Sequence, residues 1–406
     1  MDFFSGLIAK RLGGSHFGID DEIFKFEKIK RAKAEANVKN PNIELIDLGV
    51  GEPDKGASDD IVNILYLEAK KVENRKYADN GIPEFQEAAI KYIEDVYDVK
   101  GFNYKDNIVH GIGSKSILSM IPSCVIDPGD VALVTTPGYP ILGTHVEYLG
   151  GKLYYLPLKE ENNYLPKFDN IPDDILKKAK LLYINYPNNP TGAIANKDFF
   201  EEVVKFAKKN NILVIHDAAY APITFDGNKP LSFFSVDGAR EVGVEVHSLS
   251  KAFNMTGWRL AFVIGDKTII DAIKNIKDNS DSGQFRAIQK AGIYALAHTE
   301  ITDDICNRYS KRMDKLIKVL CEVGFYAKKS KGTFYCYVPS PKGAGNEVFN
   351  NAEEAADYLI RHALISVVPW DDVGNYLRFS VTFESDDDDK TFEEIKNRLE
   401  KLNLVF

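Results

Sequence analysis

Seven short apolar runs recur between about residue 108 and residue 265: IVHGIGS, DVALVTTP, KLYYLPL, AKLLYINYP, ILVIHDAAY, GVEVHSLS and RLAFVIG. Runs of that length, rich in Val, Ile and Leu and without polar alternation, suit strands buried on both faces. Amphipathic stretches separate most of them. The clearest is NKDFFEEVVKFAKKNN, which puts Phe199, Val203, Phe206 and Ala207 on one side of a helix and lysines and glutamates on the other. Strands alternating with helices imply an α/β fold, a mostly parallel seven-stranded sheet covered on both faces.

The remainder follows a different plan. A long amphipathic helix pattern covers 301–325, followed by the strand-like GTFYCYVP, a helix through AEEAADYLIRHAL, the strand-like YLRFSVTFE and a terminal helix. This reads as a smaller α+β domain over 291–406, beside a large domain over 48–290 and an N-terminal arm with a small-domain segment over 1–47. The acidic run SDDDDK at 385–390 opens the terminal helix, where acids cap free N–H groups and complement the helix dipole.

Composition narrows the function. A chain of 406 residues, 44% hydrophobic, can bury a substantial core. The formal charge of -9 argues against a nucleic-acid partner, which needs a basic surface. Four scattered cysteines form neither a C-x-x-C pair nor a disulfide framework, and no run reaches the length of a membrane helix. A cytoplasmic protein with no membrane partner is expected. His110, His216 and His247 fall near strand ends, but without H-x-H or H-x-x-x-H spacing they read as packed or hydrogen-bonded, and no metal is assigned.

The candidate chemistry sits where strands end, the place at which open α/β sheets bind ligands. NYPNNPTGAI (185–194) concentrates amides and prolines beyond what one turn needs. Asp217 ends a strand, as a turn cap also would. HSLSKAFNMTGWRLA (247–261) puts Ser248, Ser250, Lys251 and Arg259 close together between two apolar strands, and IVHGIGSKSIL aims the backbone N–H groups of Ser114 and Lys115 from a helix N-terminus, which favours an anion.

The segment S-L-S-K-A-F-N-M-T-G-W-R-L-A resembles the lysine signature of class I/II aminotransferases, the fold-type-I enzymes that use pyridoxal 5′-phosphate (PLP). The resemblance runs from about Gly18 to the C-terminus. It implies that Lys251 is the lysine attached to PLP, that Ser248, Ser250 and Arg259 grip the phosphate with the Ser114–Lys115 turn, and that Asp217 pairs with the pyridine nitrogen. Tyr220 and Asn189 then hydrogen-bond the ring O3′, and Tyr139, otherwise a core tyrosine, stacks on the ring. Asn185 and Asn188 remain turn residues. LGVGEPD, with Gly51, resembles the loop over the substrate carboxylate. Arg378, which by itself reads as a structural ion pair, matches the arginine that clamps that carboxylate. KYADNG resembles the segment whose tyrosine, here Tyr77, reaches the phosphate of a neighbouring subunit, so a homodimer with shared active sites is expected.

Within the family, FKFEKIKRAK, DAAYA, SLSKAFNMTGWRLAF and DSGQFRAIQKAG look most like LL-diaminopimelate aminotransferases. The implied reaction moves an amino group between LL-diaminopimelate and 2-oxoglutarate, an amino acid and a 2-oxo acid. Asp79 is a candidate for the distal ammonium, or else a turn residue. Arg286 falls about where aspartate-specific relatives hold the distal carboxylate, or else has a surface role. An aspartate or broad-range aminotransferase is the alternative. A non-catalytic PLP-binding regulator is disfavoured by the presence of both Lys251 and Asp217.

Overall fold

The computed structural model describes residues 4–18 and 25–406. Phe24, which opens the FKFEKIKRAK segment, lies outside the described residues, and the helix Lys25–Lys39 carries the rest of that segment.

All seven apolar runs are strands of one sheet: β1 (Ile108–Ile112), β2 (Val131–Thr136), β3 (Lys152–Pro157), β4 (Ala179–Asn185), β5 (Leu213–Asp217), β6 (Gly243–Ser248) and β7 (Leu260–Gly265). Their spatial order is β1-β7-β6-β5-β4-β2-β3. β7 is antiparallel to both neighbours and the remaining pairs are parallel, so the sheet is mixed with a single reversed strand. The expectation of burial on both faces holds for the interior strands but fails at β3, whose residues are mostly half-buried or exposed. β3 is an edge strand packed chiefly by the helix Ile141–Tyr148, whereas β1, the other edge, is covered by the helices Pro83–Tyr97, Ser114–Met120 and Lys267–Asp278 and stays buried.

The two faces of the sheet feed separate apolar cores. Phe85, Ile93, Phe200, Val203 and Leu260 belong to one; Ile117, Leu142, Ile215, Val263 and Ile273 belong to the other. The helix Lys197–Asn210 shows why the chain folds locally as it does. Asn196 caps its start by accepting from Phe199 N, its apolar side (Phe199, Phe200, Val203, Val204, Ala207) is buried, and Asn211 ends it in a left-handed conformation.

Beyond the helix Arg286–Ala297, the helix Glu300–Glu322 contributes Ile305, Tyr309, Met313 and Leu316 to a further core. That core is completed by a three-stranded antiparallel sheet, β8 (Tyr335–Pro339), β9 (Val368–Trp370) and β10 (Tyr376–Ser380), in the order β9-β10-β8, and by the helices Ala352–Ala363 and Asp388–Glu400. Ile46–Asp47 joins it by pairing in parallel with Ile365–Ser366. The acidic run does cap the terminal helix, with Asp387 accepting from Lys390 N. Asp388 does more than capping and receives two hydrogen bonds from the buried Arg312.

Candidate active site

A cavity of about 740 Å³ opens at the ends of β4, β5 and β6 and is closed on its other side by β8 and β10. The structure brings Gly51, Ser114, Lys115, Tyr139, Asn189, Asp217, Tyr220, Ser248, Ser250, Lys251, Arg259 and Arg378 together on its wall.

One end is built for an anion. The helix Ser114–Met120 starts at Gly113, whose φ of 76° is left-handed and where a Cβ would overlap the Arg259 guanidinium. Only glycine lets that arginine lie against the turn, where the first N–H groups of the helix have no partner within it. Because β7 is reversed, Arg259 stands at the beginning of that strand yet at the same sheet edge as Ser248, the last residue of β6. The Ser248 hydroxyl also has a structural task, since it accepts from Ser250 N at 3.2 Å.

The middle of the cavity holds a buried carboxylate. Asp217 receives hydrogen bonds from Tyr183 at 3.0 Å and from Ala219 N at 3.1 Å. Burial raises its pKa, and those two neutral donors oppose the rise. Asn185, expected only as a turn residue, has a second role: its amide donates to the Asp217 carbonyl at 2.8 Å and its carbonyl accepts from Asn189 N at 2.9 Å. It therefore sets the ends of β4 and β5 relative to each other. Asn188 behaves as a turn residue, bonding Thr191 through both backbone and hydroxyl.

Lys251 completes the set. Its amine donates to the Gly51 carbonyl at 2.6 Å. Burial lowers its pKa to about 8, with Arg259 and Arg378 acting in the same direction and Glu52 opposing. Desolvation and neighbouring positive charge thus both disfavour the charged amine. Arg378 is buried and pairs with no carboxylate among the described residues, so the structural ion pair that it could have made is not there. It donates to Asn189 Oδ1 at 2.8 Å and to the Gly49 carbonyl at 2.9 Å, lies 4.0 Å over the Tyr335 ring, and keeps its Nε without a partner. The Asn189 side-chain oxygen is thus engaged by Arg378, which leaves its amide nitrogen free to donate.

Four functional neighbours were missed from the sequence. Tyr335 hydrogen-bonds the Tyr220 hydroxyl at 2.9 Å, Tyr183 supports Asp217, and Trp370 and Asp372 line the cavity. The one available signal was polarity within GTFYCYVP and LLYINYP, tyrosines placed in otherwise apolar strands. Tyr77, Asp79 and Arg286 lie elsewhere, on a second cavity of about 990 Å³. There the Arg286 guanidinium donates to the Tyr77 carbonyl at 2.6 Å, Asp79 adopts a positive φ of 40°, and the Tyr77 side chain is 78% exposed.

The three histidines are hydrogen-bonded. His110 Nε2 meets Gln284 at 3.0 Å, while His216 and His247 both bond the buried Glu245, at 2.8 and 2.6 Å. Among the described residues no group of His, Cys, Asp and Glu is arranged to hold a metal ion, and no helix is long and apolar enough to cross a membrane.

This donor set fits PLP at each of its polar ends. The helix start with Ser248, Ser250 and Arg259 suits a phosphate, the buried Asp217 suits a protonated ring nitrogen, and a lysine of lowered pKa suits an aldehyde. Residues 43–395 match the family of class I and II aminotransferases, and the chain belongs to that family: it is a PLP-dependent aminotransferase acting on small-molecule substrates. More narrowly, it is 53% identical to a protein of Methanocaldococcus jannaschii and 50% identical to one of Methanococcus maripaludis, both named LL-diaminopimelate aminotransferase. Each match covers all of this chain and 99% of the relative. Among solved structures, substrate-bound BacF from Bacillus subtilis is similar with a TM-score of 0.88 and 34% identity, covering 96% of this chain and 97% of that one.

Proposed function

We propose that the chain transfers an amino group between LL-diaminopimelate and 2-oxoglutarate. The observation that carries the chemistry is the meeting of Lys251, at about pKa 8, with the buried Arg378 across one cavity. The relatives at 53% and 50% identity support the choice of substrate.

In this reading the Ser114 and Lys115 N–H groups, Ser248, Ser250 and Arg259 hold the phosphate, Tyr139 stacks on the ring, and Asn189 and Tyr220 bind its hydroxyl oxygen. PLP bound there supplies an electron-withdrawing ring that acidifies the substrate α-carbon, and Asp217 keeps its nitrogen protonated. Arg378 fixes the α-carboxylate with a planar fork of donors, beside Gly51. The Lys251 amine takes the α-proton and returns it one position away, its tether giving a high effective concentration.

Two subunits building each active site, Tyr77 and Asp79 reaching the neighbour's cavity, a cytoplasmic location and the division at 1–47, 48–290 and 291–406 belong to the same reading. The exposed Val62, Tyr66, Leu67, Val72, Tyr77 and Phe285 support the dimer, since apolar groups so placed suit a protein interface.

Steady-state kcat/KM with LL-diaminopimelate, meso-diaminopimelate, aspartate and alanine, each with 2-oxoglutarate, tests the substrate. LL-diaminopimelate should lead. A value for aspartate well above it would move the assignment to an aspartate aminotransferase, because specificity is that ratio.

A further inference from the structure

The loop that follows Ile46–Asp47 crosses the cavity mouth with its backbone oxygens taken one after another. Leu48 O accepts from Ser380 N, Gly49 O from Arg378, Val50 O from the Thr382 hydroxyl and Gly51 O from Lys251. Two of these four donors are the cations on which the proposed chemistry depends. Whatever sets the position of this loop therefore sets where those cations rest.

Its far end is Asp54, whose carboxylate is buried with only 2% of the side chain exposed. Arg308 donates to Oδ2 at 2.6 Å, the Tyr309 hydroxyl donates to Oδ1 at 3.0 Å, and Arg312 stands 3.3 Å away. Arg312 is itself fixed, donating to the Val381 and Phe383 carbonyls and bidentately to Asp388. All three partners of Asp54 lie on the helix Glu300–Glu322, whose Thr302 hydroxyl also bonds the Ala252 carbonyl, one residue past Lys251. One helix thus grips both the loop over the cavity and the turn that carries the lysine.

We infer that Asp54 is a positioning residue of the amino-transfer site, a buried anchor by which the Glu300–Glu322 helix holds the Leu48–Gly51 carbonyls against Arg378 and Lys251. A buried carboxylate with two guanidinium neighbours is rigid because any displacement leaves charges unpaired out of water. Asp54 is not among the residues lining the cavity, and its partners lie on the Glu300–Glu322 helix and not at the anion end, so its removal acts on the substrate side and spares the phosphate side. The inference rests on the roles proposed for Lys251 and Arg378.

The test uses the PLP-loaded enzyme with L-glutamate as the donor in the half-reaction, comparing Asp54→Asn, Asp54→Glu and Arg308→Gln. Arg308 is partly exposed, so its variant keeps the Arg312–Asp388 pair and the fold. Asp54→Asn and Arg308→Gln should each raise the glutamate KM at least tenfold while the PLP dissociation constant, read by fluorescence quenching, changes less than threefold. Asp54→Glu should recover part of the loss. Faster hydrogen exchange at the Val50 and Gly51 amides should accompany the KM change. An unchanged KM in Arg308→Gln, or a loss of PLP affinity as large as the rise in KM, overturns the inference. If the wild-type enzyme does not react with glutamate at all, the proposed acceptor is wrong and the failure belongs to that reading.

Discussion

In the proposed reaction Lys251 has to be an amine when it meets an aldehyde and a base when it meets an α-proton, and its surroundings suit both. Its pKa falls from 10.5 to about 8, so the free amine accumulates above about pH 8 and not only above pH 10. In the cofactor-free protein, acylation of Lys251 followed by peptide mapping should therefore rise through a midpoint near pH 8; a midpoint near 10.5 would show that burial does not act as described. Replacing Lys251 by Ala removes the tethered base, and the transamination rate should fall by about 10²–10⁴-fold or more, read from single-turnover kinetics. Arg378→Lys keeps the charge but loses the fork that now spans Asn189 and Gly49. A charged hydrogen bond contributes about 1.5–3 kcal/mol, so KM for the amino acid should rise roughly 10–100-fold with PLP binding little changed.

At the scale of elements, the turn between β1 and the helix Ser114–Met120 depends on one glycine. Gly113→Ala combines a positive φ with a side chain driven into Arg259, so PLP affinity should drop while the unfolding midpoint of the cofactor-free protein changes far less. The centre of the sheet depends on Glu245. Burial alone would raise its pKa, but His247 and His216 outweigh that and hold it below the usual carboxylate range, and the Ser232 hydroxyl and Phe233 N–H also donate to it. Glu245→Ala leaves those donors buried without their acceptor and should cost about 3–5 kcal/mol in urea unfolding. Elements of this kind differ in how far the sequence discloses them. The seven strands, the helix of NKDFFEEVVKFAKKNN and the Lys251 turn could all be read, because each is written in contiguous residues whose pattern has a local cause. Tyr335, Trp370 and the second role of Asn185 could not. Their roles lie in what faces them from another strand or loop, Tyr220 across 115 positions for Tyr335 and Asp217 across 32 for Asn185, and a tyrosine in a buried strand carries no mark of its partner.

For the whole molecule, the cavity of Tyr77, Asp79 and Arg286 and the exposed apolar residues near it are the features a second copy would use. Sedimentation should give a dimer, and Tyr77→Phe should weaken PLP binding through the neighbouring subunit. A fully active monomer would separate Tyr77 from the active site. The reversed strand β7 bears on a different property, the order in which the site is assembled. By doubling back next to β6 it lets a single connection of about ten residues deliver both Lys251 and Arg259, so the lysine and the arginine proposed to hold the phosphate are brought together by closing one short loop. The carboxylate clamp has no such shortcut: Arg378 meets Asn189 across 189 positions, and Lys251 meets Gly51 across 200. Because the Ser114–Lys115 turn, Asp217, Lys251 and Arg259 all precede Arg378 in the chain, a growing chain has the residues proposed for its cofactor in hand before the one proposed to recognise an amino acid, and in rising denaturant the enzyme should surrender its substrate first and its PLP last.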